Sequence, residues 1–158
     1  MIEPIAKTIE VPCAQDQAFD IFIKQMQSWW PLGKFTYSAM QGTPAKGIRV
    51  VPKTGGEIVE LGPDGSEISW GKIVDFKPHD FLSMDFHIPA PGGPEVPGLS
   101  RVEVRFTKLA DSRTRVDLKQ INWEAFGKHA EMLRGGYGHG WEMIFVGAYQ
   151  AACARAAA

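Results

Sequence analysis

Residues 141–155 read WEMIFVGAYQAACAR, and this stretch decides the fold because almost every position in it is apolar. Trp141, Phe145, Ala148 and Ala152 recur at i, i+4, i+7 and i+11, which is the spacing of one face of an α-helix. The side chains that carry a charge or an amide are Glu142, Gln150 and Arg155. A helix this apolar is buried over most of its circumference. The sequence therefore predicts a long C-terminal helix that packs against another apolar surface.

Seven other segments have the alternating, β-branched or aromatic composition of strands. Their predicted bounds are Ile5–Val11, Ile48–Val51, Glu57–Leu61, Ile68–Phe76, Phe81–His87, Arg101–Leu109 and Thr114–Ile121. Turn-forming residues separate several of them, for example Pro63-Asp64-Gly65 and Ala110-Asp111-Ser112. Connections this short join antiparallel neighbours, so the later segments predict a meander whose apolar face the C-terminal helix covers.

A shorter helix follows the first predicted strand. Phe19, Phe22, Ile23 and Met26 recur at helical spacing, and a proline and a glycine then end the pattern. The chain has the length of one domain, and no repeat divides it. We therefore predict a single α+β domain over residues 1–158, in which a curved antiparallel sheet wraps around a long C-terminal helix and short helices follow the first strand.

This order of elements resembles the START-like (SRPBCC) superfamily, whose helix-grip fold is also that of Bet v 1-like proteins. Several motifs are similar to those of one of its groups, the family named after the C-terminal domain of the Hsp90 ATPase activator. Among them are Trp29-Trp30-Pro31 at a helix exit, Gly55-Gly56-Glu57 at a strand start, the stretch Gly71–Leu82 and Gly140-Trp141. The resemblance implies a hydrophobic cavity between the long helix and the concave sheet, since members bind lipids, sterols, polyketides or plant hormones.

Aromatic side chains are numerous for a chain of this length, and in a helix-grip fold such rings line an apolar pocket. The residues predicted to line this ligand-binding cavity are Trp30, Phe35, Tyr37, Trp70, Met84, Phe86, Trp123, Trp141, Phe145 and Ala148. The alternative, which is favoured for any one of these rings taken alone, is that it fills the core.

A cavity of this kind supports three functions, and the sequence leaves them open. The one we expect is binding of an apolar small molecule without a cofactor. The second is an enzyme of the cyclase, dehydratase or hydrolase type that acts on a cavity-bound substrate. The third is a protein-interaction module that resembles the Hsp90 activator and has an Hsp90-type chaperone as its partner. A homodimer is compatible with each of them.

No residue pattern singles out a catalytic or metal site. His129 and His139 are ten residues apart, which is not the i, i+4 spacing of a helical metal pair. His87 alternates with Phe86, so we expect it to face away from the core. A strand bulge that reversed this parity would instead turn His87 and Asp85 into the cavity as an acid–base pair. We predict no catalytic residue, no metal and no cofactor.

Two segments are predicted to lack regular structure. Pro89–Gly98 contains four prolines and cannot continue either flanking strand, so it predicts a mobile hairpin loop. This loop is either a lid over a site or a slack linker, that is, a connection with excess length. Gly135–Gly140 contains four glycines and predicts a flexible lead-in to the long helix. A helix N-terminus at that point would also suit a ligand carboxylate.

The charge and cysteine content exclude some partners and favour a compartment. The formal net charge is -1 and no basic run occurs, so there is no electrostatic case for nucleic acid. No apolar run is long enough to span a bilayer. Cys13 and Cys153 are expected to be free thiols, although a disulfide between them stays open at this point. We therefore predict a cytoplasmic protein whose partner is an apolar small molecule.

Overall fold

The computed structural model describes residues 2–157, and its framework is a sheet of seven antiparallel strands. The strands are β1 (Ile5–Val11), β2 (Gly47–Val50), β3 (Glu57–Leu61), β4 (Glu67–Lys77), β5 (Phe81–Phe86), β6 (Ser100–Ala110) and β7 (Arg113–Ile121). Their spatial order is β1-β7-β6-β5-β4-β3-β2. The meander from β2 to β7 is therefore confirmed, and β1 completes the sheet beside β7.

The helices lie in two groups along the chain. Between β1 and β2 come α1 (Gln15–Ile23), α2 (Met26–Trp29) and α3 (Tyr37–Met40). After β7 come a 3-10 segment (Trp123–His129), α4 (Ala130–Trp141), a π-helical segment (Glu142–Tyr149) and α5 (Gln150–Ala157). The last three run on without a break in helical backbone, and we call them together the C-terminal helix. The α+β helix-grip architecture predicted from the sequence is confirmed.

The C-terminal helix begins earlier than predicted. Gly135–Gly140, expected to be a flexible lead-in, is helical throughout because α4 starts at Ala130. Each glycine costs about 1 kcal/mol of helix propensity relative to alanine. Packing offsets this cost, since Leu133 and Tyr137 of the same helix lie against the core and Trp141 is 1% exposed. Tertiary contacts therefore decide the conformation of a segment whose composition indicates flexibility.

The apolar face of the sheet forms the core under this helix. Leu82 pairs with Val104, and Val104 in turn pairs with Leu118, so three neighbouring strands place aliphatic side chains in one row. All three side chains are buried. On the helix side, the Tyr149 hydroxyl donates to the Ala18 carbonyl at 2.8 Å and fixes the C-terminal helix against α1.

Irregularities in the middle strands interrupt the regular pairing of the sheet. The register shifts between Ile58 and Val59, and again between Ile73 and Asp75, and such bulges bend strands. Gly71 has φ +142°, and a Cβ there would lie 1.8 Å from the Asp85 carbonyl oxygen, so only glycine fits. Within residues 2–157, no helix combines the length and apolar character needed to cross a bilayer.

Candidate functional site

Most of the residues predicted to line a cavity lie in a closed aromatic core. Those that are at most 3% exposed are Trp30, Trp70, Met84, Phe86, Trp123, Trp141 and Phe145. The ring centroids of Trp30 and Trp70 are 4.9 Å apart, and those of Phe86 and Trp141 are 5.7 Å apart. These side chains contact one another, as expected from the alternative interpretation that the rings fill the core. A role for them in ligand binding stays a prediction.

The three other predicted residues lie nearer the surface and apart from one another. Phe35 is half-buried and lines an open apolar groove. Tyr37 borders a separate polar depression beside Ser66 and Glu67. Ala148 is half-buried in the π-helical segment. Of the predicted set, Phe35 is therefore the member that lines the groove described next.

The groove lies between α4, the residues after β5 and the segment around α3, and its volume is about 310 Å³. Its walls are mainly aliphatic, aromatic and thioether side chains. The principal wall residues are Phe35, Met40, Ile88, Leu133, Tyr137 and Ile144. A concave apolar surface of this size is typical of small-molecule sites.

A buried carboxylate holds the α3 wall of the groove in place. Glu60 is fully buried, and its Oε1 accepts from the Tyr37 amide at 2.8 Å and from Trp70 Nε1 at 3.1 Å. Its Oε2 accepts from the Ser38 amide at 2.7 Å and from the Ser38 hydroxyl. Glu60 therefore joins the helix that carries Met40 to the aromatic core.

A second buried polar chain fixes the C-terminal helix where the groove ends. Trp141 Nε1 donates to Gln120 Oε1 at 2.7 Å, and Gln120 Nε2 donates to the Ser100 hydroxyl at 2.8 Å. Ser100 donates in turn to the Phe86 carbonyl. Each of these groups is buried and hydrogen-bonded, which rigidifies the wall rather than offering a partner to a ligand.

Two glycines of α4 contribute to the wall of the groove. Gly136 and Gly140 both line it. A Cβ at Gly136 would meet no atom within 4 Å, and one at Gly140 would make ordinary contact with Ile144 at 3.8 Å. The space beside Gly136 is therefore unfilled because the helix carries no side chain there.

The His87 side chain does not point in the direction that strand alternation predicts. The regular strand ends at Phe86, so the alternation that predicted an outward His87 no longer holds beyond that residue. His87 is 8% exposed and lines the groove, so the expectation that it faces away from the core is wrong. Asp85 lies elsewhere, and its Oδ1 pairs with Arg101 Nη2 at 3.0 Å. The two residues therefore do not form an acid–base pair.

Tyr137 is the partner that His87 has instead. His87 Nδ1 lies 2.8 Å from the Tyr137 hydroxyl oxygen, which also accepts from the Ile88 amide at 2.8 Å. The His87 ring is also packed against Phe126, with the centroids 4.8 Å apart. Burial lowers the pKa of His87 and raises the pKa of Tyr137, so both side chains are neutral near pH 7. The groove thus contains one neutral imidazole whose position is fixed by a hydroxyl.

Two of the groove residues that were not predicted lie in one segment of the chain. Tyr137 and Gly136 stand in the glycine-rich segment that was expected to be flexible, so no face was assigned to them. Helical spacing does connect Leu133, Tyr137 and Gly140, and this i, i+4, i+7 pattern was the available signal. Within residues 2–157, no group of three or more His, Cys, Asp or Glu side chains is arranged to hold a metal ion.

Comparison with known proteins identifies the fold. No family model matches the chain, and no curated protein matches it significantly. Among solved structures, the self-sacrificing resistance protein CalC from Micromonospora echinospora is similar at TM-score 0.69 and 24% identity, over 95% of this chain and 93% of that one. The anthrahydroquino-gamma-pyrone synthase Txn09 is similar at TM-score 0.59 and 24% identity, over 87% of this chain and 88% of that one.

A third solved structure agrees with these two. CalU16, also from Micromonospora echinospora, is similar at TM-score 0.57 and 18% identity, over 93% of this chain and 71% of that one. Identities this low establish a shared helix-grip fold and nothing finer. The function of this chain therefore has to be argued from its own groove.

Proposed function

We propose that this protein binds an apolar small molecule in the groove between α4, Phe35 and the residues after β5. The observation that carries the proposal is a pre-formed concavity of about 310 Å³ whose walls are mainly apolar and include Gly136, which has no side chain. Small-molecule pockets are typically about 300–1,000 Å³, apolar, and supplied with a few fixed polar groups. His87, held by Tyr137, is such a group.

The similar structures are compatible with this proposal. One of them is named a synthase and another a resistance protein, and both share the fold. In our proposal the present chain uses the same fold to hold an apolar ligand, in a groove that only partly overlaps the site predicted from its sequence. Membership of the Hsp90 activator family, with a chaperone as the partner, is a further proposal, and it rests on sequence motifs alone.

A second candidate function is an enzyme of the cyclase or dehydratase type, and a specific observation favours it. His87 is a neutral imidazole in an apolar groove, and a ring N–H at such a place can stabilise the negative charge that develops on a carbonyl oxygen of a bound substrate. Turnover of a bound compound that is lost in His87→Asn, with binding retained, would favour the enzyme over the binding protein.

The groove can be tested by filling it from the helix. N-phenyl-1-naphthylamine is an apolar fluorescent probe, and its emission should rise on titration with the native protein. Gly136→Leu adds a side chain to this wall, which should exclude the probe or displace the wall. The typical cost is about 1–3 kcal/mol, which is about 5- to 150-fold in Kd.

The matched control is Gly135→Leu, one residue earlier on the same helix. A Cβ there also meets no atom within 4 Å, but Gly135 does not line the groove. Both substitutions remove the same helix-propensity penalty, so only the groove distinguishes them. Unchanged affinity in Gly135→Leu and weaker binding in Gly136→Leu are expected. Equal affinity in both variants, or no uptake by the native protein, would overturn the proposal.

A further inference from the structure

The hydrogen bonds around Tyr137 favour one of the two neutral tautomers of His87. The Ile88 amide can only donate, so it occupies one lone pair of the Tyr137 hydroxyl oxygen. The single hydrogen of that hydroxyl then has His87 Nδ1 as its acceptor at 2.8 Å. In the tautomer that satisfies this hydrogen, Nδ1 is unprotonated and the proton of the neutral imidazole is on Nε2. The opposite tautomer would leave the Tyr137 hydrogen without its acceptor.

The Nε2–H of His87 is left without a protein acceptor. Among residues 2–157, this atom forms no hydrogen bond, and the other ring nitrogen, Nδ1, accepts from the Tyr137 hydroxyl. In the same part of the chain, the fully buried side-chain nitrogen and oxygen atoms without a partner are Asp20 Oδ1 and Trp123 Nε1. Nε2 is not one of them, so it is accessible, and the surface that His87 lines is the groove.

The groove offers hydrogen-bond donors and lacks side-chain acceptors of comparable strength. Besides His87, the polar side chains that line it are Tyr137, whose hydroxyl is already engaged, and the exposed Lys34 near Phe35. No Asp, Glu, Asn, Gln, Ser or Thr is among the lining residues. A ligand donor group would lose its hydrogen bonds to water on entering the groove, whereas a ligand acceptor would gain the imidazole N–H.

We infer that the groove selects apolar ligands that carry a carbonyl-type acceptor oxygen, and that the Nε2–H of His87 donates to this oxygen. Tyr137 is a positioning residue for this contact, because its hydroxyl fixes the tautomer and the ring plane. The inference rests on the proposed function, since it names the class of ligand that the same groove takes.

A pair of isosteric probes isolates the hydrogen bond. The ketone 2-acetylnaphthalene and the alkene 2-isopropenylnaphthalene have the same shape and differ in C=O against C=CH₂. The ratio of their Kd values, corrected for their partition between water and octanol, measures what the protein adds for the oxygen. A neutral hydrogen bond of ordinary strength predicts that the native protein prefers the ketone by about fivefold.

Three variants assign this preference to His87. In His87→Asn the amide oxygen can replace Nδ1 as the acceptor for Tyr137, but nothing reaches the Nε2 position, so the preference should fall to about one. In His87→Gln the terminal amide reaches that position and should restore part of the preference. Tyr137→Phe frees the imidazole to take either tautomer, so it should lower the ratio by which the ketone is preferred over the alkene.

The outcomes separate this inference from the proposed function. Suppose that the native protein binds both probes, that Gly136→Leu weakens the binding of both, and that Gly135→Leu weakens neither. The groove is then a ligand site. If the corrected ratio of the two Kd values is nevertheless one, the role of His87 is overturned. A ratio that is unchanged in His87→Asn overturns that role as well. If neither probe binds the native protein, the proposed function and this inference are both overturned. A native preference that is lost in His87→Asn and partly regained in His87→Gln supports the inference.

Discussion

The closed aromatic core and the open groove lie side by side in this protein, but the ring N–H groups in the two regions differ in their hydrogen bonding. In the core the indole N–H groups of Trp30, Trp70 and Trp141 all donate to protein acceptors, at 2.7–3.1 Å. In the groove, Nε2 of His87 has no hydrogen-bond partner among residues 2–157. Trp123 Nε1, which is buried and also without a partner in this part of the chain, is the exception in the core. Rings whose N–H groups are satisfied otherwise build the fold, whereas an accessible N–H without a partner beside apolar walls is suited to a ligand.

The two regions also differ in how space is used. Trp141 packs against Trp30 and Phe86, with ring centroids 6.1 and 5.7 Å apart, and its side chain is 1% exposed. One turn earlier, at Gly136, the same helix has no side chain and the space beside it is open. Substitutions in the core should therefore change stability, and substitutions in the groove should change binding.

The largest expected effect comes from opening the core. Trp141→Ala removes a buried indole and leaves Gln120 Oε1 without its donor, and changes of this kind typically cost about 3–5 kcal/mol of unfolding free energy. Urea unfolding followed by circular dichroism measures this cost. The control is Met132→Ala at the groove rim, where the side chain is 60% exposed and the change should be small. Equal destabilisation by the two substitutions would contradict the comparison.

The next largest effect should come from the carboxylate that joins the two regions. Glu60→Gln replaces one acceptor oxygen by an amide nitrogen, so at least one of the buried donors from Tyr37, Ser38 and Trp70 loses its partner. We expect a loss of about 2–3 kcal/mol of unfolding free energy. Glu57→Gln, on the same strand but exposed, removes the same charge and serves as the control. A Glu60→Gln protein as stable as its control would show that the carboxylate does not hold α3.

A smaller, pH-dependent effect should distinguish the groove from the core. Burial lowers the pKa of His87 in the folded protein, so below the unfolded pKa of about 6.5 the unfolded chain binds more protons. The contribution of His87 is therefore fully present above that pH and is lost as the pH falls through the lowered folded pKa. The melting temperature of the native protein should fall more between pH 7.5 and pH 5 than that of His87→Asn. Parallel curves would mean that His87 is not held neutral by burial.

The smallest effect concerns the loop beside the groove. Ala90 lines the groove, whereas Glu95 in the same loop is exposed and does not. Bound N-phenyl-1-naphthylamine should therefore slow hydrogen exchange at the Ala90 amide and leave Glu95 unchanged. If Pro89–Gly98 closes over the ligand as a lid, Glu95 should slow as well. Identical exchange at Ala90 with and without probe would exclude contact between the loop and the ligand.

Sequence patterns predicted the sheet closely because strand alternation and turn chemistry act locally. The bounds of Ile5–Val11 and Glu57–Leu61 were predicted without error, and the other strands differ by one residue at one or both ends. The candidate site was predicted less well. Aromatic content located the core, and of the predicted lining residues Phe35 borders the groove. Composition shows which side chains are apolar, but it does not show which of them pack against one another in the core.

The sequence by itself determined the order of elements, the antiparallel meander and the apolar helix that covers it. The reason is that hydrophobic periods of two and 3.6 residues involve residues that are close together in the sequence. Tertiary structure alone decided that the glycine-rich segment is helical, that His87 faces Tyr137, and that Gly136 leaves a groove open. These features depend on contacts between residues about fifty positions apart. The free energy that fixes them comes from packing and from buried hydrogen bonds, which no local pattern encodes.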